Sequence, residues 1–160
     1  KPATIFQLAT EKKLRFVNNA IKNVTAPNIL IAGCGTGQHS IGAASNFQNA
    51  QILAVDLSLS SLAYAKRKTV DLGIENISYM QADILDLATL NKKFDIIIDT
   101  NIKSFSCCDK AFNNLFKQYV NSLSHNGYII SHINGLKWSR IVKPKLSFSF
   151  KNFFNDSLSN

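Results

Sequence analysis

Cysteine is scarce in this sequence, and its placement argues against several kinds of site. There are three cysteines in 160 residues, and Cys107 and Cys108 are adjacent, which is a poor geometry for a simple disulfide. No C-x-x-C motif and no histidine cluster offers a metal site. An odd number of cysteines of this kind is typical of a reducing compartment, so we expect a cytoplasmic protein with no bound metal.

Long apolar runs are also missing. No run approaches the roughly 18 residues that a membrane-spanning helix needs, and the charged, amphipathic N-terminal stretch does not resemble a signal peptide. The sequence therefore predicts no membrane contact. It does not begin with methionine, so we expect either a processed N-terminus or a piece of a longer protein. The length of 160 residues and the 46% apolar content suit one domain with its own core.

Acidic residues are few compared with basic ones. The net charge is +8, from 18 basic and 10 acidic residues. Most bases are spread along the chain, and a solvated lysine-rich surface is one interpretation. The other is an anionic partner, such as RNA, bound through the basic tail of residues 135–160. The concentrated cations there are Lys137, Arg140, Lys143, Lys145 and Lys151.

The most informative stretch is NILIAGCGTGQ, from Asn28 to Gln38. An unbroken apolar run bounded by turn residues predicts a strand that is buried on both faces. The glycines that follow it, Gly33, Gly35 and Gly37, favour a turn where backbone approaches a ligand closely. A helix beginning at Gln38 would aim its first N–H groups at that ligand. The unit predicts a site for a nucleotide-like cofactor.

The spacing of the glycines differs from that of dinucleotide-binding proteins. Dinucleotide-binding proteins carry G-x-G-x-x-G, whereas this chain has G-x-G-x-G with Gln38 in place of the third fingerprint glycine. The next predicted strand ends in Asp56, whose carboxylate can accept hydrogen bonds from two ribose hydroxyls. The alternative interpretations are a tight turn without a ligand and a helix-capping aspartate.

Strands and helices alternate along the chain, which predicts a parallel sheet covered on both faces, with strand order 3-2-1-4-5. We expect an N-terminal amphipathic helix over 5–23, within residues 1–27, and a core over 28–134. Helices are also predicted over 38–47, from Ser58 or Ser60 to about Leu72, and from Asp109 to about Leu123. The predicted strands are 29–32, 51–55, 77–82, 94–99 and 128–133.

Three segments carry a resemblance to a known family. IAGCGTGQHS, LAVDLSLSSLAYAKRKT and QADILDL resemble class I S-adenosylmethionine (SAM) methyltransferases, and most closely the methyltransferase domains of bacterial proteins that also carry tetratricopeptide repeats. The resemblance covers about residues 28–87. It implies an α/β, three-layer Rossmann-like methyltransferase fold. Residues 134–160 are too few for the family's usual terminal helix and hairpin, so we expect an incomplete or shortened hairpin, with a strand pattern at 146–150.

The resemblance also implies the cofactor-binding residues. The glycine turn would line the methionine and ribose part of SAM, and Asp56 would bind the ribose. Asp83 would accept a hydrogen bond from the adenine amine; its alternative role is also a helix cap. The residues implied in the SAM site are Gly33, Cys34, Gly35, Gly37, Asp56, Leu57, Asp83, Ile84 and Asp99.

One departure from the family concerns the cofactor's amino group. The family often has an acid two residues before the first glycine, where this chain has Ile31. The amino group must then find backbone carbonyls or another carboxylate, for which Asp99 is the candidate; the alternative is that Asp99 only forms a turn after the strand.

A metal-dependent variant of the family would use Asp99, Asn101 and Asn134, but this oxygen set is incomplete for Mg²⁺.

The methyl acceptor is weakly encoded. The D/N-P-P-Y/F signature of enzymes that methylate amide or adenine nitrogens is absent from the DTNIKSF segment after the fourth strand. No catalytic residue is assigned, although His132 would lie near the acceptor pocket. The predicted function is SAM-dependent methyl transfer to an unidentified acceptor. The alternatives are a catalytically silent SAM-binding or partner subunit, and an RNA-interacting domain that uses the basic tail.

Overall fold

The computed structural model describes residues 3, 7, 24–47, 49–100, 109–131 and 140–142. The predicted N-terminal helix, apart from helical Gln7, the loop 101–108 and the tail beyond residue 142 lie outside the described residues. The elements are β1 (Asn28–Ala32), α1 (Gln38–Asn46), β2 (Gln51–Asp56), α2 (Leu59–Asp71), β3 (Ile77–Gln81), a 3₁₀ helix (Ile84–Leu90), β4 (Phe94–Asp99), α3 (Asp109–Ser122), β5 (Leu123–Ser131) and β6 (Arg140–Val142).

The described strands form one six-stranded sheet in the order β3-β2-β1-β4-β5-β6. The first five pair in parallel, which confirms the predicted order 3-2-1-4-5. The short strand β6 runs antiparallel to β5, with Ile130 opposite Ile141. The expected shortening of the hairpin stays a prediction, because the strand pattern at 146–150 lies outside the described residues.

Alternate residues of β1 pack on opposite faces of the sheet. Ile29 and Ile31 are fully buried in a cluster that includes residues of α1 and α2. Leu30 and Ala32 are fully buried against the 3₁₀ helix and α3. A strand covered on both faces explains why this segment is an unbroken apolar run rather than an alternating one.

Asp95 holds together the amino ends of three strands, on the side of the sheet away from the glycine turn. Its carboxylate accepts hydrogen bonds from the Asn28 backbone N–H and from the Ser124 hydroxyl, both at 2.9 Å. The strand β5 begins at Leu123, earlier than the predicted Tyr128. The chain bulges between these two residues, because Phe94 is opposite Leu123 while Ile96 is opposite Tyr128. The predicted end at Ile133 lies outside the described residues.

The helix α2 begins and ends close to the predicted positions. The Ser58 hydroxyl caps it by accepting from the Ser61 N–H, and Gly73 follows its end with a φ of 64°. Leu62, Ala65 and Thr69 lie on one face of the helix and are buried. Leu72 is 52% exposed because it is the C-terminal capping residue, where the helical face ends. Within the described ranges, no helix is long and apolar enough to cross a membrane.

Candidate cofactor site

The glycine turn leaves the carboxyl end of β1 and leans towards β2. All three glycines have positive φ, at 71° for Gly33, 53° for Gly35 and 88° for Gly37. The backbone N–H groups of Gly33 and Cys34 both donate to the Val55 carbonyl at 2.9 Å. The turn closes where the Gly37 N–H donates to the Cys34 carbonyl at 3.0 Å. This left-handed backbone is the reason that glycine recurs at alternate positions.

Two of these glycines face very different surroundings. A Cβ added at Gly35 would meet no atom within 4 Å, so this position borders open space. A Cβ added at Gly37 would lie 2.8 Å from the Ala65 Cβ and 3.1 Å from the Tyr79 hydroxyl oxygen. Gly35 therefore leaves room beside the turn, whereas Gly37 lets the turn pack against α2 and β3.

Asp56 fastens the turn from the β2 side. One carboxylate oxygen accepts from the Gly35 N–H at 2.8 Å, and the other accepts from the Ser58 N–H at 2.9 Å. Hydrogen bonds from backbone donors to a carboxylate are among the stronger ones in proteins. They hold the carboxylate at the edge of the sheet between the glycine turn and the start of α2.

Thr100 fastens the same turn from the β4 side. Its backbone N–H donates to the Ala32 carbonyl at 3.3 Å. Its hydroxyl lies 2.5 Å from the Gly33 carbonyl oxygen and 3.3 Å from that of Ala32. The contact arises because β1 and β4 are in register, with Ala32 opposite Asp99. The glycine turn is thus held by side chains from both neighbouring strands.

The ends of β2 and β3 bring other predicted residues to the same edge. The Ala82 N–H donates to the Asp56 carbonyl at 3.2 Å, and Leu57 beside it is 62% exposed. Asp83 is exposed and caps the 3₁₀ helix by accepting from the Leu85 N–H at 2.8 Å. The side chain of Ile84 is buried in the core on the α3 side. Asp56, Leu57 and Asp83 therefore lie at the same edge of the sheet, while the Ile84 side chain is in the core.

Asp99 is fully buried at the carboxyl end of β4. It lies two residues after Ile97, and the side chain of Ile97 packs in the same cluster as Tyr119 of α3. Burial and the negative charge of Asp99 together raise the pKa of Tyr119 well above its usual value. This places the Asp99 carboxylate on the α3 side, and its predicted contact with the cofactor's amino group stays a prediction.

Comparison with known proteins decides the family. Residues 29–127 match the family model described as a methyltransferase domain, which is more than half of the chain. The chain belongs to this family. The resemblance to class I SAM methyltransferases is thereby confirmed, while the finer resemblance to domains linked to tetratricopeptide repeats stays a prediction.

Solved structures resemble this methyltransferase domain in fold. A SAM-dependent methyltransferase from Clostridium acetobutylicum is 26% identical with a TM-score of 0.60, over 79% of this chain and 46% of that one. The protein PKMT2 from Rickettsia typhi, in complex with AdoHcy, is 26% identical with a TM-score of 0.60, over 71% of this chain and 22% of that one. This chain thus spans less than half the length of each of these two proteins.

Cys34 lies inside the turn of this methyltransferase domain, and burial keeps its thiol in the neutral form. It is a free, buried cysteine, and burial followed by the charge of Asp56 raises its pKa from 9.0 to about 11. Only the thiolate is nucleophilic, and the raised pKa makes the thiolate scarce at neutral pH. The assignment of Cys34 to the SAM site stays a prediction.

We expect Cys34 to resist alkylation by iodoacetamide at pH 8 in the folded protein and to react readily in urea. In the folded state its rate should rise about tenfold per pH unit until the pH nears 11. Mass spectrometry of the peptide that carries Cys34 measures both rates. A folded-state rate at pH 8 equal to that in urea would contradict this assignment of the thiol.

Among the described residues, no three or more His, Cys, Asp or Glu side chains come together as a metal site. His132, Asn101 and Asn134, weighed from the sequence for the acceptor or a metal, lie outside the described residues, as does the tail except for residues 140–142. The contact that sequence reasoning missed is that of Thr100. Its only signal is a hydroxyl residue directly after a buried strand that neighbours β1.

Proposed function

We propose that this domain binds SAM and transfers its methyl group to an acceptor. The observation that carries the proposal is the glycine turn, held by Asp56 on one side and Thr100 on the other, with open space at Gly35. Family membership supports it. So do the two similar proteins, one a SAM-dependent methyltransferase and one in complex with AdoHcy.

The residues at this edge fit the adenosine part of the cofactor. A Cβ at Gly35 would project into the open space, so glycine there leaves room for a ligand against the backbone. Each Asp56 oxygen already accepts one backbone N–H, and a carboxylate oxygen has lone pairs for a further donor, here a ribose hydroxyl. Exposed Leu57 offers an apolar surface for adenine, and Asp83 offers an acceptor for its amine.

Methyl transfer from a sulfonium depends more on positioning the reactants than on acid–base groups. SAM supplies an electrophilic methyl group on a sulfonium. The chain's part is to hold the cofactor, to orient the acceptor at about 3–3.5 Å and to exclude water. A general base is required only if the acceptor atom carries a proton at neutral pH. We assign no catalytic residue; the Cys34 thiol is buried and its pKa is raised to about 11.

Partner and compartment are further parts of the proposal. The cations of residues 135–160 suit an anionic acceptor or an RNA. The odd number of cysteines, three, suits a reducing, cytoplasmic compartment. Salt-dependent retention of RNA by the 160-residue chain, lost when Lys143 and Lys145 are replaced by glutamate, would support the first part. Retention that does not change with salt or with these variants would refute it.

The function is tested by binding and by turnover. Calorimetry should give a measurable affinity for SAM and S-adenosylhomocysteine and none for NAD, because the turn lacks the third dinucleotide glycine. Incubating the chain with SAM and fractionated cell extract should release S-adenosylhomocysteine. Binding without release in any fraction would favour the silent binder. Tighter binding of NAD than of SAM would overturn the proposal.

A further inference from the structure

Three strand ends meet the glycine turn, and each could contact a different part of an elongated ligand. The order of these strands is β2-β1-β4, and neighbouring strands lie about 4.8 Å apart. Asp56 at the end of β2 and Thr100 just past the end of β4 therefore flank the turn at a separation of roughly 10 Å. A ligand whose ribose lies at Asp56 can extend either towards β3 or towards β4.

The adenine end is expected towards β3. Leu57 is exposed there, and the ends of β2 and β3 are tied together where the Gln81 amide donates to the Leu57 carbonyl at 2.9 Å. Asp83 follows on the same side. The remaining part of the ligand, the amino-acid end, must then extend across β1 towards β4. The first polar side chain after β4 that contacts the turn is Thr100.

We infer that Thr100 is a positioning residue for the amino-acid end of the cofactor, an inference that rests on the proposed function. Its hydroxyl donates to the carbonyl of Gly33, the residue where β1 becomes the turn. This contact fixes the direction of the first peptide of the turn on the β4 side. The ligand's ammonium is attracted to backbone carbonyl oxygens, and the residues that end β1, Ile31 and Ala32, supply no carboxylate. The orientation of this peptide therefore matters for binding the ammonium.

The two anchors of the turn act independently in this arrangement. Asp56 holds the Gly35 N–H from β2, and Thr100 holds the Gly33 carbonyl from β4. Losing the Thr100 hydroxyl leaves the Asp56 contact in place, so the ribose end should still bind. The effect should appear only for ligands that possess the amino-acid end. A residue that merely stabilised the fold would weaken all ligands alike.

The test compares S-adenosylhomocysteine with 5′-methylthioadenosine, which shares the adenosine and the thioether but lacks the amino acid. Calorimetry on the 160-residue chain should show that Thr100→Val binds S-adenosylhomocysteine about 10-fold more weakly. Its affinity for 5′-methylthioadenosine should stay within about twofold. Thr100→Ser, which keeps the hydroxyl, should restore binding of S-adenosylhomocysteine. Asp56→Ala, at the shared ribose, should weaken both ligands.

The outcomes separate this inference from the proposed function. If the unmodified chain binds neither ligand, the SAM site itself is refuted. If it binds both and Thr100→Val weakens both equally or neither, the role of Thr100 is refuted and the SAM site stands. If Thr100→Val does not fold, the ratio of the two affinities in Thr100→Ala takes its place. Selective loss in Asp99→Asn but not in the Thr100 variants would assign the amino-acid end to Asp99 instead.

Discussion

Replacing Gly37 with alanine should lower the free energy of unfolding by about 2–4 kcal/mol. Two costs add at this position. The backbone has a φ of 88°, which strains any residue with a Cβ, and the new methyl group would lie 2.8 Å from the Ala65 Cβ. The Ala65 Cα, at 3.3 Å, belongs to the helix backbone and cannot move without shifting α2. Urea denaturation followed by circular dichroism measures the loss.

Gly35→Ala is the matched control, because it is the same substitution at a glycine that also has a positive φ but borders open space. Its φ of 53° costs about 1–2 kcal/mol, but its Cβ would meet nothing within 4 Å. We therefore expect Gly35→Ala to remain folded and to lose SAM affinity, since the methyl group would occupy the open space beside the turn. Equal destabilisation by both substitutions would contradict the packing described for Gly37.

The contrast between these glycines shows where sequence reasoning reaches and where it stops. The alternation of Gly33, Gly35 and Gly37 after an apolar run predicted the turn, because positive φ is a local property that glycine satisfies. The spacing did not reveal which glycine packs against protein and which borders open space. That depends on Ala65 and Tyr79, which come from α2 and β3.

Thr100 and Leu72 show the same difference between what a local pattern predicts and what the tertiary structure decides. The position of Thr100 opposite the turn follows from the register between β1 and β4, and its contacts lie 67 and 68 residues away in the sequence. No local pattern encodes such a contact. Leu72 continued the apolar face of α2 by periodicity, yet the helix ends there and Gly73 turns the chain away. Periodicity predicts which face is buried, but it does not show where that face ends.

Asp83 and Ile84 show the difference between bringing residues together and assigning their roles. The sequence predicted an acid at the end of β3, and the structure places Asp83 at the same edge as Asp56 and Leu57. Its carboxylate also caps the 3₁₀ helix, so the two roles foreseen for it are compatible rather than exclusive. The Ile84 side chain, in contrast, is buried in the same core cluster as Leu87.

Replacing Asp56 with alanine should weaken SAM binding by about 10- to 100-fold, the scale of hydrogen bonds to a charged group. From the sequence alone, this residue stands at a solvent-facing strand end, and little effect on folding would be expected. The structure adds a second consequence. The carboxylate also holds the N–H groups of Gly35 and Ser58, so its loss should lower the free energy of unfolding by about 1–2 kcal/mol. Calorimetry and urea denaturation measure the two effects separately.

Asp71→Ala is the matched control for this prediction. Asp71 lies on the exposed side of α2 and has Arg67 at 4.0 Å, an arrangement that contributes little in water. Asp71→Ala should change neither SAM affinity nor stability beyond about 0.5 kcal/mol.

Asp56→Asn separates the role of Asp56 in holding the turn from its role in binding ribose, because the amide keeps one acceptor oxygen but replaces the other with a donor. It should bind SAM more weakly than the unmodified chain, since an amide NH₂ would face either the Gly35 or the Ser58 N–H. Normal SAM affinity in both Asp56 variants would place the ribose elsewhere and leave Asp56 as a residue that only fastens the turn.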